Sequence, residues 1–242
     1  MQTVLFLLVV FFTNIIQCVT GFAGTVLAMP FSVMLIGLAP AKAILNVLGA
    51  AASVGVLCRC YKSVNKAEFL KMTGFLLPGI AAGYFLSPYL ISVQKAAYMI
   101  LGGVVIFFAV LNFIKLIKKK EAKAPGKALS AIILLASGLV HGVFVCGGPL
   151  LVTYASRKLT DTQEFRATLS ATWIVLNGLM IVSDAFNGYF DAPTLKLLAF
   201  SLPVLAAAIV AGNLIAKRLS KKAFLILSYA LMLISGISLF LK

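Results

Sequence analysis

Acidic side chains are the scarcest feature of this chain. Six carboxylates, Glu68, Glu121, Asp161, Glu164, Asp184 and Asp191, stand against 21 lysines and arginines in 242 residues. None of the six falls in the middle of an apolar stretch, so a proton relay built from buried acids lacks its parts. Charge of either sign is thin, at 11%, where a soluble domain carries about 25%. No G-x-x-x-x-G-K-[ST] phosphate loop occurs, which excludes ATP hydrolysis by that route. The four cysteines lack zinc-like C-x-x-C spacing. The close pair Cys58 and Cys60 could hold a metal or react, but small apolar packing is the commoner role, and no metal or cofactor is expected. The first ten residues carry no lysine or arginine, so they read as a retained first span rather than a secretory signal.

What fills the chain is hydrophobic residue, 62% of the total. Apolar runs long enough for a bilayer, about 20 residues, recur from end to end, as in Phe69–Leu90 and Leu195–Ala216. The pattern predicts an all-α polytopic membrane protein. Five segments fall in each half: 3–20, 22–38, 42–58, 69–90 and 95–114, then 128–142, 147–156, 166–184, 194–216 and 222–241. The basic run 115–127, with Lys118-Lys119-Lys120, Pro125 and Gly126, is too polar for lipid and reads as a cytoplasmic linker between membrane repeats 1–114 and 128–242.

The net charge of +15 does not point to nucleic acid, because the basic residues are dispersed in short gaps with no aromatic-interleaved motif. If every segment crosses, the loops near 59–71, 115–127, 157–166 and 217–222 share one side and hold 17 of the 21 basic residues. The positive-inside rule makes that side cytoplasmic and puts both termini outside. An odd number of segments per half makes the repeats inverted. Leu70-Lys71, Phe75 and Pro78 match Leu195-Lys196, Phe200 and Pro203 at an offset of 125, and Lys42–Asn46 matches Arg166–Ser170 at 124. Arg59 aligns with Asp184, as expected for loops facing opposite compartments.

Residues 3–38 are nearly unbroken apolar sequence. As one helix they would reach about 54 Å, against a hydrocarbon core of about 30 Å. The run has to break, and Thr20-Gly21-Phe22-Ala23-Gly24 is the place. In the second half the break falls at Cys146-Gly147-Gly148-Pro149, between segments short for full spans and flanked by two basic loops, which fits a re-entrant hairpin. Broken backbone at membrane depth survives only where it is buried or lines a wet cavity. Each break can start a half-helix whose free N–H groups face an anion. Pro149 suits the first turn of such a helix. The plainer reading is that glycines permit close helix packing, as expected at Gly79-x-x-x-Gly83.

Gly21-Phe22-Ala23-Gly24 with Pro30, and Ser137-Gly138, Gly142 and Cys146-Gly147-Gly148-Pro149-Leu150-Leu151, together resemble the sulfite exporter TauE/SafE family over essentially the full chain. The sequence departs from that pattern at Ala23-Gly24-Thr25, where a glycine run is usual, and at Thr153, where a proline is. The resemblance implies movement of small sulfur-containing anions, such as sulfite or sulfonates, across a bacterial inner membrane.

The residues then suggest alternating access around an anion between the hairpins. Gly21, Gly24, Gly147 and Gly148 would hold the charge through backbone, with hydrogen bonds from Gln17, Thr20, Ser137 and His141. Lys42 and Arg166 would attract the anion at the two mouths, or simply snorkel to the interface. Asn14, Asn46, Thr172 and Asn177 are weaker candidates, because polar side chains also join helices. An inside-negative potential favours anion exit by about 2.3 kcal/mol per charge per 100 mV. The expected partners are a small anion and the bilayer, with homodimerisation left open. Two other readings remain: a membrane thiol-disulfide electron relay through Cys18 and Cys146, and a non-transporting scaffold.

Overall fold

The computed structural model describes residues 2–90 and 126–218 apart from residue 146, and only scattered positions of 91–125 and 219–242. At residues 30, 87–90, 144 and 217 it describes backbone alone. Most of the linker 115–127, Lys95, and much of the segments 95–114 and 222–241 lie outside the described residues; the positions described within those two segments are helical.

Eight helices are described: α1 Gln2–Thr20, α2 Ala23–Ile36, α3 Leu38–Cys60, α4 Lys66–Leu90, α5 Lys127–Phe144, α6 Gly148–Lys158, α7 Thr162–Phe186 and α8 Ala192–Arg218. No strand occurs among the described residues. Helix starts follow capping chemistry, in which a side-chain oxygen accepts an orphan N–H of the first turn. Asn65 Oδ1 accepts from the Glu68 N–H at 3.0 Å to open α4. Asp161 Oδ1 accepts from Gln163 and Glu164, both at 2.9 Å, to open α7. Asp191 accepts from the Thr194 N–H at 2.9 Å to open α8, and the Thr194 hydroxyl and N–H hold its carboxyl below the usual carboxylate range.

Among the described residues, α1, α3, α4, α7 and α8 are long and apolar enough to cross a bilayer, so the chain is a polytopic membrane protein. The other three are not. With 11 residues, α6 rises about 16 Å, half the hydrocarbon thickness of about 30 Å.

Small residues set the closest helix contact. A Cβ added at Gly79 would come to 2.9 Å from the Leu139 N and 3.0 Å from the Gly138 Cα, and one at Gly142 would press on the Ile80 carbonyl. Gly79-x-x-x-Gly83 on α4 thus meets Gly138-x-x-x-Gly142 on α5, backbone to backbone, as close packing of small residues requires. Residue numbers rise together along this contact, so α4 and α5 run in the same direction and Leu90 and Lys127 lie at opposite ends of the bundle. By contrast α3 and α7 are antiparallel, with Asn46 against Asp184 and Gly49 against Asn177.

The helix pairings have a regularity. α4 packs on α5 and α1 on α8; α3 packs on α8 and α7 on α4; α1 packs on α2 and α5 on α6. Helices α3 and α7 pack on each other, and so do α2 and α6.

One end of the bundle is basic. There the Asn65 side chain donates to Glu164 Oε1 at 2.8 Å, and the Asn65 N–H donates to Thr168 Oγ1 at 3.0 Å. Tyr154 ties the end of α6 to α4, donating to Glu68 Oε2 at 2.5 Å beneath the Lys71 ammonium, 5.3 Å from the ring centroid. Arg59, Lys62, Lys66, Arg157 and Lys158 surround these loops.

One expectation needs correction here. Asp184 was read as a loop residue paired in alignment with Arg59. It lies instead in the last turn of α7, 2% exposed, and accepts from Asn46 Nδ2 at 2.7 Å. The helix continues two residues past the apolar segment 166–184, so Asp184 is a helical residue, and its face of α7 packs against α3.

Candidate functional site

The first break follows from an ordinary helix end. Gly21 adopts φ +83, and its N–H donates to the Gln17 carbonyl at 2.7 Å. The second break has the same i to i−4 bond, from the Val145 N–H to the His141 carbonyl at 2.8 Å, but the left-handed position is occupied by valine, at φ 56. A β-branched residue at positive φ is a genuine outlier, the kind of local strain that gathers at working sites.

Packing then matches the two hairpins residue for residue. A Cβ on Gly24 would sit 2.5 Å from Gln17 Cβ and 2.7 Å from the Thr13 carbonyl. A Cβ on Gly147 would sit 2.8 Å from His141 Cβ and press on the Ser137 carbonyl. Across the hairpins, a Cβ on Gly148 would lie 3.2 Å from the Phe22 carbonyl, so the two breaks meet directly.

Hydrogen-bond accounting separates them. At the start of α2, Thr20 Oγ1 accepts from the N–H of Phe22 at 3.4 Å and of Ala23 at 3.2 Å, and Gln17 Oε1 accepts from the Gly24 N–H at 2.8 Å. With Gly21 bonded to Gln17, the N–H groups of Gly21, Phe22, Ala23 and Gly24 are taken, and among the described residues that of Thr25 in the first turn meets no acceptor. The expectation that the backbone of Gly21 and Gly24 faces an anion with free donors is therefore not met there. The side chains of Gln17 and Thr20 outcompete any ligand because they belong to the same hairpin.

At the start of α6 the reverse holds. Ser137 donates to the Gly147 carbonyl at 2.8 Å, and no side chain caps the helix. Among the described residues, the N–H groups of Gly147, Gly148 and Leu150 meet no acceptor. Cys146 lies outside the described residues. Orphan N–H groups at a helix start carry the positive end of the helix dipole, a ready anion site.

A narrow internal cavity, with room for about one water, lies where the breaks meet. Gln17, Phe22, Thr25 and Val26 line it from the first hairpin, His141, Val145 and Gly148 from the second, and Trp173 and Asn177 from α7. His141 is 3% exposed, and neither ring nitrogen has a hydrogen-bond partner. Asn177 lies beside its ring without reaching hydrogen-bond geometry. The Trp173 ring stands 5.0 Å from the His141 ring, and its buried Nε1 is also without a partner. Unpartnered buried polar atoms also occur at Ser32, Thr73 and Ser170; what distinguishes this place is that two such side chains stand beside an uncapped helix start.

Gln17, His141, Gly148 and Asn177 are thus brought to one cavity, with Gly147 beside them. The other candidates are placed elsewhere. Asn14 donates to the Val10 carbonyl at 2.8 Å and Thr172 to the Thr168 carbonyl at 3.0 Å, each within its own helix. Asn46 is held by Asp184. The Arg166 guanidinium donates to the Cys18 carbonyl and to Asn213, with its Nε unpartnered. Lys42 is buried, one helical turn before Asn46 and within electrostatic reach of Asp184. Trp173 lines the cavity and was not singled out in the sequence. As the only tryptophan, on a segment that also carries Thr172 and Asn177, Trp173 was open to notice.

Comparison with known proteins agrees with this architecture. The family model described as sulfite exporter TauE/SafE matches residues 6–239. The "Probable inner membrane transporter protein TsaS" of Comamonas testosteroni is 26% identical over 168 residues, 69% of this chain and 70% of that protein. The "Probable sulfite/organosulfonate exporter TauE" of Cupriavidus necator is 24% identical over 200 residues, 81% of this chain and 77% of that protein. No solved structure matches the chain significantly. With the family model matched along nearly the whole length, and glycine-broken hairpins where the family resemblance lies, this chain belongs to the sulfite exporter TauE/SafE family.

Proposed function

We propose that this chain is a secondary transporter in the bacterial inner membrane that exports small sulfur-containing anions, such as sulfite or organosulfonates, by alternating access around its two broken hairpins. The observation that carries the reading is the cavity where the uncapped start of α6 meets unpartnered His141 and Trp173. As described the cavity has room for about one water, so an anion enters only as the hairpins part, and it then accepts from the N–H groups of Gly148 and Leu150 and from the side chains around them. Gln17 contributes too: its Oε1 is engaged by Gly24, which leaves its amide NH2 as the donor on the cavity side.

Two inverted repeats, 1–114 and 128–242 about the linker 115–127, are supported by the way the helix pairings exchange when the halves are swapped. The same-direction packing of α4 and α5 also fits, since it requires an odd number of crossings between them. In this scheme the basic end is cytoplasmic and both termini are outside. Lys42 is buried and Arg166 is held by Cys18 and Asn213, so the membrane potential, which favours anion exit, is the driving force in this scheme.

The test is flux of labelled sulfite, sulfonates and control anions in proteoliposomes, with and without an imposed potential. Saturable flux of a sulfur anion, accelerated by a potential that favours anion exit and abolished by Gly148→Leu, is the expected result. The leucine would drive into the Phe22 carbonyl and fill the cavity. Folded protein that carries no sulfur anion would sink the reading.

A further inference from the structure

The charge balance around the cavity says which anions it can hold. None of its lining side chains bears a fixed charge. Among the described residues, His141 on α5 is the only titratable group in the lining, and α1, α2, α6 and α7 bring neutral groups to it. Lys42 on α3 does not line the cavity; it is within electrostatic reach of both His141 and Asp184, whose carboxylate Asn46 holds at 2.7 Å. The Arg166 guanidinium is committed to the Cys18 carbonyl and Asn213 and does not line the cavity.

What is left for a ligand is the start of α6, worth roughly half a positive charge, and a set of neutral donors. One of these is the Trp173 indole N–H, buried and unpartnered beside the His141 ring. The cost of stripping water from an ion rises with the square of its charge, so a second negative charge multiplies the desolvation cost. Among the described residues no fixed positive charge lines the cavity to offset it.

We propose that this cavity selects singly charged anions, with the Trp173 indole N–H as one of its binding donors. The proposal rests on the anion-carrier reading above. It favours hydrogen sulfite and sulfonates over doubly charged sulfite and sulfate.

Trp173 is the only tryptophan in the chain, so its emission reports the cavity directly. The purified full chain is titrated with methanesulfonate, sulfite and sulfate from mildly acidic to mildly basic buffer. Methanesulfonate keeps one charge throughout, whereas sulfite loses its remaining proton near neutrality. The expected result is a saturable emission change with methanesulfonate whose midpoint does not move with pH. Sulfite should weaken as the buffer becomes basic, and sulfate should have no effect.

Trp173→Phe keeps an aromatic ring beside His141 and removes the donor. Read by competition of methanesulfonate against sulfite flux, it should bind about tenfold more weakly. Sulfate acting as strongly as methanesulfonate overturns charge selection while the carrier stands. A methanesulfonate midpoint that moves with pH as sulfite's does assigns the dependence to His141 and also overturns it. Unchanged competition in folded Trp173→Phe overturns the role of the indole. The wild-type titration decides charge selection whether or not that variant folds. Absence of both emission change and flux with every anion removes the carrier and this proposal together.

Discussion

The two broken hairpins share a backbone plan but differ in what they do with the N–H groups they expose. In the first, glycine takes the left-handed position and Thr20 and Gln17 absorb the donors. In the second, valine is held in that position and the donors are left open beside an unpartnered histidine. The first hairpin answers most of its donors with its own side chains; the second keeps a valine at positive φ and leaves its donors unmet. Position in a repeat therefore does not assign function. The side chain one turn before each break differs, Gln17 being an acceptor in one half and His141 an imidazole in the other.

The largest effects should come from crowding the hairpins themselves. Gly24→Ala and Gly147→Ala each push a methyl into the facing helix, and each should lose about 1–3 kcal/mol or more of stability, read by thermal unfolding in detergent. If either is neutral, the matched packing is misassigned. Next is His141→Gln, which copies the first hairpin into the second. The new carboxamide oxygen would accept from the Gly147 N–H as Gln17 does from Gly24, closing the helix start. Flux should fall about tenfold or more with stability unchanged or higher. A variant that transports normally would show that the open donors are not used. The smallest is Gly21→Ala, which places strain at the first break in the way Val145 does at the second. Its Cβ has ordinary space, 3.6 Å from the Arg166 Cα, so only the backbone conformation is penalised. The cost should be about 1–2 kcal/mol, with little change in flux per folded molecule; a large loss of flux at full stability would make the first break functional after all.

Much of this was determined by the sequence alone. An apolar run of 36 residues has to break in a bilayer, and Gly21 marks where. Charge is kept to the gaps between apolar runs because it does not enter lipid, and the glycines of α4 already announced a close helix contact. Tertiary structure decided which donors stay free and which charges are answered. Gln17 reaches Gly24 across a turn whose geometry no periodicity encodes, and Asp184 is buried because Asn46, 138 residues away in sequence, is there to hold it. Hydrophobic burial is written along the chain residue by residue. Hydrogen-bond satisfaction belongs to pairs, and pairs exist only once the helices have met.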